Sequence, residues 1–148
     1  MPTIPVGLNS YVCIVDATGT PPAAPTADVG AVLTYAAASV GTNGTDQTNG
    51  GLQRGIKIVV DITAITGTSP TLTVTLQGKD LASGKYYTIL ASAALAAVGT
   101  TVMTVYPALV AVANLTANDV LPRTYRIISA IGGTTPAVTA TIGVTTLY

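Results

Sequence analysis

The sequence predicts an all-β fold: a single antiparallel β-sandwich, jelly-roll-like, of about eight strands, with an extended N-terminal arm. Three observations carry this. Apolar and polar residues alternate from Ile56 to Val144, the period-two pattern of strands that bury one face. Gly, Pro and Asp turns separate those runs at short intervals, as in sandwiches and barrels. Threonine is abundant, with 26 of 148 residues, and its β-branched side chain suits a pleat while its hydroxyl meets water. No segment repeats its apolar residues at the helical period between capping residues.

Residues 1–10 read as the arm, with Pro2 and Pro5 and no helical period, and residues 11–148 as the sandwich domain. Tyr11 to Val15 is a short strand, in which Cys13 between Val12 and Ile14 reads as a buried thiol. Residues 16–30, with Gly19, Pro21, Pro22, Pro25 and Gly30, are loop. Ala31 to Val40 reads as a strand, its alanine run leaving a short helix as the alternative. Residues 41–51 form a polar loop. Ile56, Ile58, Val60 and Ile62 then mark one strand, and Gly67 to Pro70 turns the chain. Leu72, Val74 and Leu76 mark the next strand, alternating with Thr71, Thr73, Thr75 and Gln77. Asp80 to Gly84 is a second turn, followed by a strand from Lys85 to Ala91. Gly99 precedes a strand through Val102 and Val105. Pro107 to Pro122 is a longer connection with one helical turn within Ala108 to Asn114. Tyr125, Ile127, Ser129 and Ile131 begin a further strand. After a turn at Gly132-Gly133, Val138, Ala140, Ile142 and Val144 form the last. The expected core is Ile56, Ile58, Val60, Ile62, Leu72, Val74, Leu76, Ile127, Val138 and Ile142.

Composition excludes several functions. Hydrophobic residues make up 49% of the chain and charged residues 8%, six basic and six acidic, where about 25% charged is ordinary. The chain has no His, so Ser-His-Asp and Cys-His catalysis and histidine metal ligands are absent. One Cys rules out an internal disulfide and a thiolate zinc cluster. Zero net charge argues against nucleic acid as a partner. The N-terminus has no basic residue and no long apolar run, so it does not read as a secretory signal. Residues 86–118 carry no charge, but Ser92, Gly99, Thr100, Thr101, Thr104 and Pro107 interrupt them, so no membrane span is expected. No enzyme activity, cofactor or metal is expected.

The candidate sites are few. The 43–51 loop offers Asn43, Thr45, Asp46, Gln47 and Asn49, but a single carboxylate is poor for calcium. Asn43-Gly44-Thr45 and Asn114-Leu115-Thr116 match the glycosylation pattern by composition. Lys79, Asp80 and Lys85 read as a solvated hairpin end. Arg123 and Arg126 flank Tyr125, suited to a cation–π or partner contact, with Arg54, Asp61 and Asp119 as candidate ionic partners. Tyr86 and Tyr87 could stack on a sugar, one of the two facing the core. Apolar Ile4, Val6 and Leu8 of the arm are costly to leave in water, so the arm is expected to dock on a neighbouring copy or partner. Twelve charges cannot cover a chain of this size, which favours burial of its neutral surface in an assembly.

Several segments carry a resemblance. Arg54-Gly55-Ile56-Lys57-Ile58-Val59-Val60-Asp61-Ile62-Thr63 is one. Ser69-Pro70-Thr71-Leu72-Thr73-Val74-Thr75-Leu76-Gln77-Gly78-Lys79-Asp80 leads into Gly84-Lys85-Tyr86-Tyr87-Thr88-Ile89-Leu90. Val105-Tyr106-Pro107 and Asn118-Asp119-Val120-Leu121-Pro122-Arg123-Thr124-Tyr125-Arg126 follow. Across residues 52–148 these resemble small β-sandwich virion proteins of tailed bacteriophages, of the capsid decoration or cement type. Strands of this style also occur in phage tail proteins and carbohydrate-binding modules. The resemblance implies a structural virion protein, synthesised in the bacterial host cytoplasm, that decorates the capsid exterior, bridges major capsid subunits and often forms homotrimers. The alternatives are a β-sandwich glycan-binding module and a phage tail structural protein. The residues expected at capsid or self-association contacts are Ile4, Val6, Leu8, Arg123, Tyr125 and Arg126.

Overall fold

The computed structural model describes residues 46–49 and 53–148, with the backbone of residues 10–11 and 31–36. The described residues form strands and turns, with no helix among them. In chain order the strands are β1 (Ser10–Tyr11), β2 (Ala31–Ala36), β3 (Gln47–Thr48), β4 (Gly55–Lys79), β5 (Tyr86–Ala91), β6 (Gly99–Val105), β7 (Thr116–Ala117) and β8 (Thr124–Leu147). The described residues are all-β, as the alternation predicts. The sheet order is β1–β8–β4–β6–β7, with β2 and β3 also on β8 and β5 also on β4.

The spine is the antiparallel pair β4–β8, in register from Gly55 opposite Leu147 to Gly78 opposite Tyr125. These strands have 25 and 24 residues, where about five or six is ordinary. Both bend at a shared corner. Gly67 and Ser69 have positive φ in β4, Gly133 and Thr135 have positive φ in β8, and the register slips beside them. A Cβ on Gly133 would lie 2.6 Å from the Ser69 carbonyl oxygen, and one on Gly67 would lie 2.7 Å from that of Thr135. Only glycine fits where two backbones pass this closely at such φ values. This corrects the expected turns at Gly67 to Pro70 and Gly132-Gly133. They do not separate paired neighbours. Both strands meet their turn-prone residues at the same point of the ladder, so the ladder bends and continues.

The corner divides the ribbon into two halves. In one, Ile56 to Ile62 of β4 pair with β6, while β8 carries β2 from Ala31 opposite Ile142 to Ala36 opposite Ala137. In the other, Thr75 to Lys79 of β4 pair with β5, while β8 carries β3. Even-numbered residues of β4 face the core from Ile56 to Ile62 and again from Leu72 to Gly78; between these runs the parity breaks and Ile65 packs against the core. All ten expected core residues are buried, in one cluster with Leu90, Met103, Val105, Leu121, Tyr125, Ile131, Ala140 and Val144. The cluster draws on both halves. Each Leu, Ile or Val fully buried there contributes about 1.5–3 kcal/mol.

Two buried polar side chains complete the ladder where strands stop. Ser92 follows β5, and its Oγ accepts the Val74 N–H at 3.0 Å and donates to the Ala93 carbonyl at 2.7 Å. Asn49 follows β3. Its amide nitrogen donates to the Gln53 carbonyl at 2.8 Å and the Leu121 carbonyl at 3.1 Å, and its backbone N–H donates to Arg123. It ties the start of β4 to the approach to β8.

Two further expectations are corrected. The sheet is mixed, because β7 runs parallel to β6. After β6 the chain loops out and returns in the same direction, so no hairpin reversal separates the two. The expected helical turn within Ala108 to Asn114 is an irregular loop. The Thr116 hydroxyl donates to Val110 and accepts the Val112 N–H, and the Asn118 side chain accepts the Ala108 N–H. Side-chain bonds of this kind compete with helix. Ala31–Ala36 is strand, as favoured over helix. Residues 12–15, Cys13 among them, and residues 1–9 of the expected arm lie outside the described residues. Ser10, the last arm residue, pairs with Thr145.

Candidate functional site

Asp46, Lys79, Asp80, Lys85 and Arg126 gather at one end of the sheet, while Lys57 and Asp61 lie on the other half of β4. On the strands β3, β8, β4 and β5, the side opposite the core presents Arg126, Gln77, Lys79 and Tyr86, with Asp46 just before β3. Pairing puts Gln77 opposite Arg126 and Lys79 opposite Tyr86. The Lys79 ammonium donates to Asp46 at 2.7 Å, and the Tyr86 hydroxyl donates to the other Asp46 oxygen at 2.8 Å. The Arg126 guanidinium lies 3.3 Å from the centre of the Tyr86 ring, and its Nε donates to Gln77 at 2.9 Å. Arg126 is thus held by a ring and an amide.

The electrostatics follow from these contacts. Partial burial pushes the Asp46 carboxyl up, but the bonds from Lys79 and Tyr86 and the Lys79 and Arg126 charges outweigh it and hold the group below its ordinary value. The hydrogen bond to Asp46, reinforced by Tyr86, raises Lys79. In the β4–β5 turn, the Ser83 hydroxyl and the Ser83 and Ala82 N–H groups lower Asp80. The hairpin-end reading of Lys79 is therefore incomplete: it reaches across to Asp46, some thirty residues earlier.

The expected contact residues part ways here. Arg126 is half-buried in the cluster and Arg123 is exposed, but Tyr125 between them is 3% exposed and faces the core. Alternation along β8 separates Tyr125 from its two arginine neighbours. Arg123 instead shares an open depression of about 620 Å³ with Arg54, Thr48, Asn49, Gln53, Val120 and Leu121. Asp61 accepts from the Thr100 hydroxyl at 2.8 Å rather than from an arginine, and Asp119 from the Val120 N–H. Tyr87 is the core-side member of the tyrosine pair, its ring over Gly78, and stays 47% exposed at the sheet's end. Asn114 of the glycosylation-like triplet donates its side chain to the Ala91 carbonyl. Ile4, Val6, Leu8 and Asn43 lie outside the described residues. Among the described residues, no cluster of carboxylates or Cys could hold a metal.

No family model, curated protein or solved structure matches the chain. The site therefore stands on its geometry: a neutralised charge cluster, a depression bearing two guanidinium groups, and a broad threonine-rich surface. On the half built from β8, β4 and β6, the side away from the core carries Thr139, Thr141, Thr145, Val59, Thr100, Val102 and Thr104, with Lys57 and Asp61 set among them. Beside it Lys57, Thr104, Tyr106, Leu109, Thr116, Leu147 and Tyr148 line a groove of about 470 Å³. The groove escaped sequence reading because its walls come from four separate segments. The Lys79–Tyr86 pairing was accessible in principle, since the two residues flank one turn symmetrically. Nothing in the sequence pointed to Asp46 as their common partner.

Proposed function

We propose that this protein is a structural, non-enzymatic virion component of a tailed bacteriophage. In this reading it decorates the capsid exterior, bridges major capsid subunits and forms a homotrimer, after synthesis in the bacterial host cytoplasm. The finer fold belongs to the same reading: the ribbon bent at its corner closes its two halves over one core, as a jelly-roll-like sandwich of about eight strands. The observation that carries it is the distribution of charge. Asp46, Lys79, Asp80, Lys85 and Arg126 gather near the β4–β5 turn. The threonine-rich face carries Lys57 and Asp61 as its charges, and the charge-free run 86–118 starts at Tyr86 beside the cluster and leads away from it. A surface of that kind suits permanent burial against copies or a lattice. The sequence resemblance over residues 52–148 supports the phage assignment. The Arg54–Arg123 depression offers guanidinium groups to acidic side chains of a capsid subunit. A protein that binds only the assembled shell stabilises that shell by linkage.

The test is stoichiometry. Purified particles should contain the protein at tens to hundreds of copies, and cryo-EM should find it outside the shell. Its absence from particles would reject the reading. The glycan-binding alternative finds less support, because the Arg126 guanidinium covers one face of the Tyr86 ring.

A further inference from the structure

Arg54 and Arg123 share a depression, and neither has an acidic partner among the described residues. Both side chains are exposed in the folded chain, and neither guanidinium makes a hydrogen bond or ion pair with a described residue. The described carboxylates are engaged elsewhere. Asp46 binds Lys79 and Tyr86, Asp61 binds Thr100, Asp80 binds Ser83, and Asp119 accepts the Val120 N–H. Arg126, by contrast, is held by Tyr86 and Gln77.

The backbone beneath the two arginines is fixed. The depression is built from Thr48 and Asn49, from Gln53 and Arg54, and from Val120, Leu121 and Arg123. The Leu121 N–H donates to the Arg54 carbonyl at 2.9 Å, and the Asn49 N–H donates to the Arg123 carbonyl at 2.7 Å. The Arg54 N–H donates to the Leu147 carbonyl at 2.7 Å. Donors presented from a pinned backbone lose less freedom when a ligand arrives.

The rest of the lining says which anion fits. Its polar groups are the Thr48 hydroxyl and the Asn49 and Gln53 amides, and its apolar ones are Leu121 and Val120, the latter 56% exposed. No aromatic ring among the described lining residues offers a base a stacking surface. The chain's zero net charge gives no field for a polyphosphate strand. A planar guanidinium fork matches the two oxygens of a carboxylate, and an aliphatic wall beside it suits a carboxylate carried on a hydrocarbon stem.

We infer that this depression binds an acidic polypeptide segment, seating its carboxylates on Arg54 and Arg123 with their stems against Val120. The inference deepens the proposed function by naming the chemistry of the partner surface. It rests on that reading for the partner's identity but not for the binding itself, which needs no assembled lattice.

The test is calorimetric titration of the full chain, at low salt, with an N-acetylated, C-amidated hexaglutamate peptide. Wild type should bind it saturably and should not bind hexaglutamine. Arg54→Gln and Arg123→Gln should each bind about tenfold more weakly, the worth of a charged hydrogen bond. Arg123→Lys should fall between, keeping the charge and losing the fork. Lys57→Gln, on the other half of β4, should bind like wild type. Absence of saturable binding, equal binding of hexaglutamine, or glutamine variants that bind like wild type would overturn the inference. So would inorganic phosphate that competes as strongly as the peptide, or binding that emerges only once Asp16 or Asp28 is replaced by Asn. Any of these leaves the virion role standing, whereas absence of the protein from particles rejects that role and leaves this site standing.

Discussion

Asn49 donates its side-chain amide to two loop carbonyls, Gln53 before β4 and Leu121 before β8. Alanine there would remove both hydrogen bonds, the one to Leu121 in a buried setting. An unsatisfied buried polar group costs about 1–3 kcal/mol, so Asn49→Ala should lower urea stability by at least that range's lower end. Asp46 predicts a pH dependence. Its folded pKa lies below the ordinary carboxylate value of 3.8, so the unfolded chain binds the proton first as pH falls. Its contribution is complete above that ordinary value and is lost as pH drops through the depressed folded value. Lys79 runs the other way: its contribution is present below its ordinary value of 10.5 and is lost as pH rises through the raised folded one. Comparing Asp46→Asn with wild type in urea titrations from neutral pH to pH 2 should show the gap between them closing at the acid end. A double-mutant cycle over Asp46 and Lys79 should show only weak coupling, as solvent-exposed pairs do.

At the scale of the strand, the corner and the alternation make separate predictions. Gly133→Ala must place a methyl within 2.6 Å of a backbone oxygen at φ 111°. The loss should exceed about 1 kcal/mol, beyond the entropic gain that alanine brings elsewhere, and a melting curve checks it. Leu72→Ala and Leu76→Ala empty fully buried sites and should each cost about 2–5 kcal/mol. These two sites were legible in the sequence, because in a two-sided strand the parity of one residue fixes that of its neighbours. The corner was not legible. Gly67 and Gly133 supply positive φ equally to a hairpin and to a bend, and the choice depends on what lies across the ladder. The mixed character of the sheet escaped for the same reason: two residues, Thr116 and Ala117, decide it through a long-range partner. The charge cluster was only half legible. Lys79 and Tyr86 flank one turn, but Asp46 meets them only after β3 has joined β8.

For the molecule as a whole, the charge-poor surface predicts how association responds to salt. Contacts without charge are not screened, so the self-association constant should change by less than about threefold between low and high salt, on the order of 0.05–0.5 M. A steep loss with salt would point to the Arg54–Arg123 depression as the self-contact instead. The ribbon of β4 and β8 also sets an order of events. Gly78 waits for Tyr125 and Gly55 waits for Leu147, so β4 emerges from the ribosome long before its main partner exists. At about 5–20 residues per second, that leaves its apolar edge unpaired for several seconds. Nascent chains are therefore most exposed to aggregation in this interval, and stalling synthesis before Pro122 should send the product to the insoluble fraction. Refolding of the whole chain should fall at the slow, millisecond-to-second end of single-domain rates, because its longest ladder is also its least local.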